Sequence, residues 1–208
     1  MAQVRKMLYG DHDPYKDAKI YPFNSHGWAS HSPAFKRVIE EVKPHLIIEV
    51  GTWLGASARN MARLASQINS NIEVVCVDTF LGSVEHWNGS SYKMEFHNGR
   101  PNIYDQFLSN VIHDKLTEII TPFPIDSING YEVLKNYGVV ADLIYIDAGH
   151  DYASVKADLD RWSKLVRVGG VLMGDDFHHP PIIKAVKETF SVYTAMGEKF
   201  IWHNTGTL

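Results

Sequence analysis

Apolar and polar positions along this chain switch repeatedly between two periods. LIIEVG (46–51), IEVVCVD (72–78), a segment near 117–123, DLIYID (142–147) and VGGVLMGDD (168–176) are short apolar runs rich in β-branched residues, the pattern of buried strands. Between them lie segments with helical spacing. Ser32-Pro33 pairs an N-cap with Pro at the first helical position. Phe35, Val38, Ile39 and Val42 follow on one face, and Pro44 ends the segment. Residues 56–68 place Ala58, Met61, Ala65 and Ile68 on one face. Residues 151–166 do the same with Tyr152, Val155, Leu159, Trp162 and Val166, and further helices are expected near 103–112, 127–136 and 180–189. SVYTAM and KFIWHN flank Gly197-Glu198 as a closing antiparallel hairpin. Strands alternating with helices predict βαβ units: a doubly wound α/β sheet, mostly parallel and covered on both faces.

Two segments fall outside this rhythm. Residues 1–20 are polar and are expected to be irregular, the start of an N-terminal arm (1–31) that also carries Trp28 and His31. Residues 79–105 are rich in Gly, Ser, Asn and aromatics, including Trp87, Tyr92, Phe96 and His97. This insert is long for a plain connection and is expected to cover a site, to pack as a small satellite core or to form an oligomer contact. Lys93 and Arg100 are too sparse for an anion patch. No repeat or linker divides the chain, so residues 1–208 read as one domain.

Composition narrows the class. With 208 residues, 45% of them hydrophobic, the chain can build a sizeable core. The formal charge of −4 gives no support for a nucleic-acid or membrane-surface footprint. Cys76 is the single cysteine, so an internal disulfide is excluded, which fits a reducing compartment. The N-terminus lacks an apolar core of signal-peptide length, and no window approaches the roughly 18 apolar residues of a membrane span. The expectation is a cytoplasmic protein acting on a small molecule, with a homo-oligomer open.

The chemistry concentrates at strand ends. IIEVGTWLGASARNMA leaves a strand, turns through Gly51 and Gly55 and enters a helix. Its G-x-x-x-G spacing is neither the G-x-G-x-x-G of dinucleotide binders nor a phosphate loop, and Glu49 just before it suits a cationic ligand better than a pyrophosphate. Asp78 ends the next strand, where such folds place a carboxylate that grips ribose hydroxyls. These residues resemble the class I S-adenosylmethionine-dependent methyltransferases over most of 33–203. Glu49, Gly51 and Gly55 match that family's first motif, and Asp78 matches its ribose-binding acid. The resemblance implies a Rossmann-like, seven-stranded sheet ending in an antiparallel hairpin. It also implies that Thr52 and Ser57 line the methionine part of the cofactor, that Thr79 sits beside the ribose, and that Asp126-Ser127 contact adenine.

YIDAGHDY ends one strand with Asp147 and His150, and MGDDFHHP ends the next with Asp175, Asp176, His178 and His179. Three carboxylates on neighbouring strand ends repel unless a cation or proton sits among them, and oxygen ligands favour a hard ion such as Mg²⁺. Asp147 followed by Asp175-Asp176 resembles the metal site of the macrocin O-methyltransferase-like branch, which methylates sugar hydroxyls. That likeness implies Asp147, Asp175 and Asp176 as ligands and Asp147 as a candidate general base. This chain departs from that pattern: it is shorter, Gly149 replaces an acid common in relatives, and His150 adds an imidazole able to take the acceptor proton. Asp175-Asp176 also read as a cap for the following helix, His150 as the start of one, and His178 and His179 as residues bordering a site. The function expected is metal-assisted O-methylation of a sugar or catechol-like hydroxyl. A nucleotide-dependent oxidoreductase and a non-catalytic cofactor-binding module are the alternatives.

Overall fold

The computed structural model describes residues 3–89 and 92–206. The elements follow the predicted alternation: α1 (Gln3–Tyr9), α2 (Pro33–Val42), β1 (Leu46–Val50), α3 (Ala56–Ser66) and β2 (Glu73–Asp78), then within the insert α4 (Val84–Trp87), β3 (Phe96–His97) and β4 (Arg100–Pro101). After these come α5 (Ile103–His113), β5 (Ile120–Pro124), α6 (Ser127–Asn136), β6 (Ala141–Ile146), α7 (Tyr152–Trp162), β7 (Val166–Gly174), α8 (Pro180–Thr189), β8 (Thr194–Met196) and β9 (Lys199–His203).

The sheet has seven strands in the order β5-β2-β1-β6-β7-β9-β8. It is parallel except for β9, which runs antiparallel to both β7 and β8. The chain winds outward from β1 to β2 and β5, then returns to β6 on the other side of β1. That reversal opens a crevice at the carboxyl ends of β1 and β6.

Strand alternation sorts the two faces. Ile47, Tyr145, Met173 and Ile201 face α2, α3 and α5, packing with Phe35, Met61 and Phe107. Ile48, Ile144, Leu172 and Trp202 face the other way, with Leu134, Trp162 and Val186 of α6–α8. Glu49, Asp175 and Lys199 fall on the first face by the same two-residue period.

Three details correct the sequence reading. Residues 3–9 are helical, because the Glu73 carboxylate accepts from the Val4 and Arg5 amides at 2.9 and 2.8 Å and so holds the start of α1 against β2. Ile68 lies beyond α3 and is exposed. Val166 belongs to β7, since a 3₁₀ turn at Ser163–Leu165 ends the preceding helix early. Among the described residues, no helix is long and apolar enough to cross a membrane.

Candidate functional site

A cleft of about 690 Å³ opens where the strand order reverses, within the range of small-molecule sites. Gly51, Thr52 and Ser57 line its inner end, with Asp78, Thr79, Asp126 and Ser127 along one side. Gly51 has φ +87°, and a Cβ there would lie 2.0 Å from the Asp147 carbonyl oxygen, so only glycine lets β1 turn this close to β6. Asp78 fixes the turn: Oδ2 accepts from the Thr52 and Trp53 amides at 2.8 Å each, and Oδ1 from the Phe80 amide at 2.7 Å. Trp53 holds φ +53° within this turn, a strained conformation for a bulky residue.

Two motif residues stand behind the cleft rather than on it. Gly55 begins α3 and packs toward Phe107. Glu49 is fully buried; it accepts from Ser57 Oγ at 2.5 Å and lies 3.9 Å from Cys76 Sγ. Burial pushes its carboxyl up to about 8 against the opposing Ser57 hydrogen bond, so it is protonated at neutral pH. Thr52 does face the cleft. Its hydroxyl lies near enough to Glu49 to favour the carboxylate form, yet Oγ1 is buried with no hydrogen bond of good geometry in the protein. Asp126 caps α6 through the Ile128 and Asn129 amides, and Ser127 Oγ is engaged by Asp158 and Trp162 while the residue still lines the cleft.

At the ends of β6 and β7 the predicted trio of carboxylates divides. Asp175 is buried and bound by Lys199, which is itself 1% exposed, and by Tyr145 Oη at 2.9 Å. Its Oδ1 accepts from the Asp176 amide at 2.7 Å. The cation beside it in this structure is therefore a lysine of β9, and the groups of described residues that could hold a metal do not include Asp175. Nor does the Asp pair cap a helix: His179 occupies the N-cap of α8.

Asp147, Asp176 and His150 come together at the cleft. One ligand atom from each lies within 4.8 Å of the other two, and His150 Nε2 is 3.2 Å from Asp176 Oδ2. Asp176 has φ +55°, the backbone strain often stored at functional sites. Burial and the neighbouring Asp175 charge raise Asp147 to about 7, with Lys199 opposing. A mixed carboxylate–imidazole group of this kind suits a divalent transition metal as well as Mg²⁺. Asp176, His178 and His179 form a second possible group further out. Lys199 was missed at the sequence level. Its signal is its register, two residues before the inward Ile201 on a buried strand.

The outer half of the cleft is aromatic. Trp53 and His86 stack with centroids 4.1 Å apart and planes at 14°, and Trp28 reaches within 6.2 Å of Trp53. His26 and Tyr92 pack behind, Trp53 Nε1 donating to His26 Nδ1 at 3.2 Å. The insert thus supplies Gly82, Ser83, Glu85 and His86 to the cleft wall, while Trp87 and Phe96 pack on each other outside it. His31 does not line the cleft.

The profile of a family described as a methyltransferase domain matches residues 48–177, from within β1 to just past β7. Similar solved structures include an O-methyltransferase from Bacillus cereus in complex with SAH, at 17% identity over 96% of this chain and 86% of that one, with a TM-score of 0.58. Another is the calicheamicin methyltransferase CalS11, at 18% over 82% and 77%, with a TM-score of 0.60. A third is TomG from Streptomyces achromogenes, an O-methyltransferase involved in tomaymycin synthesis, in complex with SAM; it has 13% identity over 85% and 79%, with a TM-score of 0.59. At these identities the likeness is one of fold. No curated protein matches the chain.

Proposed function

The chain belongs to the methyltransferase-domain family, and from that premise we propose that it moves the methyl group of S-adenosylmethionine to a hydroxyl oxygen of a small molecule in the cytoplasm. The observation that carries this reading is the inner cleft, where the glycine turn held by Asp78 lies against Asp147. Gly51, Thr52 and Ser57 would take the methionine end, Asp78 and Thr79 the ribose, and Asp126-Ser127 the adenine. Asp78 already accepts three amide hydrogen bonds, so one acceptor position on Oδ1 is left for a ribose hydroxyl. A wall rich in carboxylates also suits a sulfonium.

Methyl transfer is a direct displacement. The acceptor oxygen forms a bond to the methyl carbon as the carbon–sulfur bond breaks, leaving S-adenosylhomocysteine, and the hydroxyl proton passes to a base. Alignment supplies much of the acceleration. Asp147, held near neutral pKa, would receive that proton, and His150 is the second candidate. Asp147, His150 and Asp176 would hold a divalent ion, and such an ion when bound would acidify the acceptor hydroxyl.

Calorimetric titration with S-adenosylmethionine, S-adenosylhomocysteine and NAD tests the cofactor. The first two should bind and NAD should not; a folded protein that binds neither adenosyl compound refutes the reading. A non-catalytic module would bind the cofactor yet never release S-adenosylhomocysteine across an acceptor screen. Mn²⁺ binding followed by electron paramagnetic resonance tests the metal: Asp176→Asn should weaken it, and no binding by the unaltered protein removes the ion.

A further inference from the structure

The reading above leaves the acceptor's chemistry open, and the outer cleft restricts it. Its wall joins Trp28, Trp53 and His86 to three carboxylates, Glu85, Asp176 and Glu198. Trp28 lines the cleft and is 56% exposed. Among the described residues no lysine or arginine lines the cleft. The nearby Lys199 is buried and committed to Asp175. Deeper carboxylates are satisfied: Asp78 and Asp126 accept backbone amides. Among the described residues, the ion-pair partners of the outer three are imidazoles and no lysine or arginine: His150 at 3.7 Å from Glu85 and 3.2 Å from Asp176, and His178 at 3.8 Å from Glu198.

We propose that the outer cleft receives a cationic acceptor, a small molecule whose protonated amine lies between the tryptophans and Glu85, and that it rejects phosphorylated or carboxylated acceptors. The proposal rests on the methyltransferase reading. Indole faces attract cations through the ring quadrupole, and a flanking carboxylate adds to that attraction. Anionic acceptors would meet uncompensated like charge and no basic side chain. A metal held by Asp147, His150 and Asp176 would neutralise Asp176 but leave Glu85 and Glu198 unpaired by any lysine or arginine.

The test uses three phenols of one shape: tyramine, neutral 4-ethylphenol and anionic 3-(4-hydroxyphenyl)propionate. Each is titrated into protein saturated with S-adenosylhomocysteine and followed by tryptophan fluorescence and ligand-observed NMR. Tyramine should bind about tenfold tighter than 4-ethylphenol, as a partly desolvated cation–π contact with a flanking carboxylate allows, and the propionate should not bind. Glu85→Gln, on the exposed face of α4, should remove most of that gap, and Trp28→Ala should weaken tyramine. Equal binding of the neutral or anionic phenol, an unchanged gap in Glu85→Gln, or no tyramine binding overturns the inference. Failure of S-adenosylhomocysteine to bind in the first step would instead count against the cofactor reading.

Discussion

Lys199 illustrates how one buried charge organises its neighbours. It is 1% exposed and bridges Asp175 and Tyr145, whose hydroxyl also lies 3.1 Å from Asp147. Lys199→Met leaves the buried Asp175 carboxyl without its cation, and breaking a buried pair from one side costs about 3–5 kcal/mol. Urea unfolding measures this; a loss below about 1 kcal/mol would mean the pair contributes no more than a surface contact. Glu49 gives a pH signature. Its carboxyl rises from 4.5 to about 8 on folding, so the native state binds the extra proton. That contribution is fully present below pH 4.5 and is lost as pH rises through about 8. Unfolding curves at pH 5 and pH 8.5 should show wild type losing stability relative to Glu49→Gln at the higher pH; parallel profiles would place the Glu49 pKa near its ordinary value. Residue roles were the hardest part to read from the sequence. Asp78, Asp147 and Asp176 could be placed from strand ends alone. The inward turn of Asp175 depended on a lysine 24 residues later whose burial follows only from the register of β9 against β7.

Elements were legible wherever period decided them. Apart from α4 in the insert, the helices after residue 30 and the core strands follow from spacing, capping and β-branched runs, and Ser32 accepts from the Ala34 amide at 3.4 Å as the Ser-Pro signal implied. The short α1 was not legible, because a polar helix burying only Val4 is held by a tertiary contact to Glu73 and not by its own pattern. The turn between β1 and α3 tolerates little change. Gly51→Ala sets a methyl against the Asp147 carbonyl, and calorimetry should find cofactor binding lost or reduced at least about tenfold, the effect of an orphaned or displaced polar contact. Retained affinity would show that the turn can open without cost. α4 behaves differently: it has four residues, none buried, and contacts the cleft through Glu85 and His86. Such a segment belongs to the low-stability end of the molecule. Hydrogen exchange should show residues 84–89 and 92–100, with the arm around Trp28, gaining protection when S-adenosylhomocysteine binds. Equal exchange in the two states would make the insert a packed satellite rather than a cover.

At the scale of the molecule, the sheet converts local patterns into a site. Acids from β2, β6 and β7 are dispersed along the sequence, yet parallel pairing with one reversal brings their carboxyl ends to a single crevice. That convergence was legible, since it follows from strand order and handed crossovers. The aromatic wall was not, because the contacts of Trp28 with Trp53 and His86 join an arm, a turn and an insert that no period connects. The chain's sole thiol offers a way to time the breathing of this architecture. Cys76 sits in the central layer beneath the glycine turn, fully buried, and burial raises its pKa well above the ordinary value. A disulfide reagent can therefore reach it only when β2 separates from its neighbours, so the labelling rate is a clock for opening of the sheet at the cofactor turn. Saturating S-adenosylhomocysteine should slow that clock in proportion to its occupancy, and labelling as fast as that of a free thiol would deny the strand its buried place.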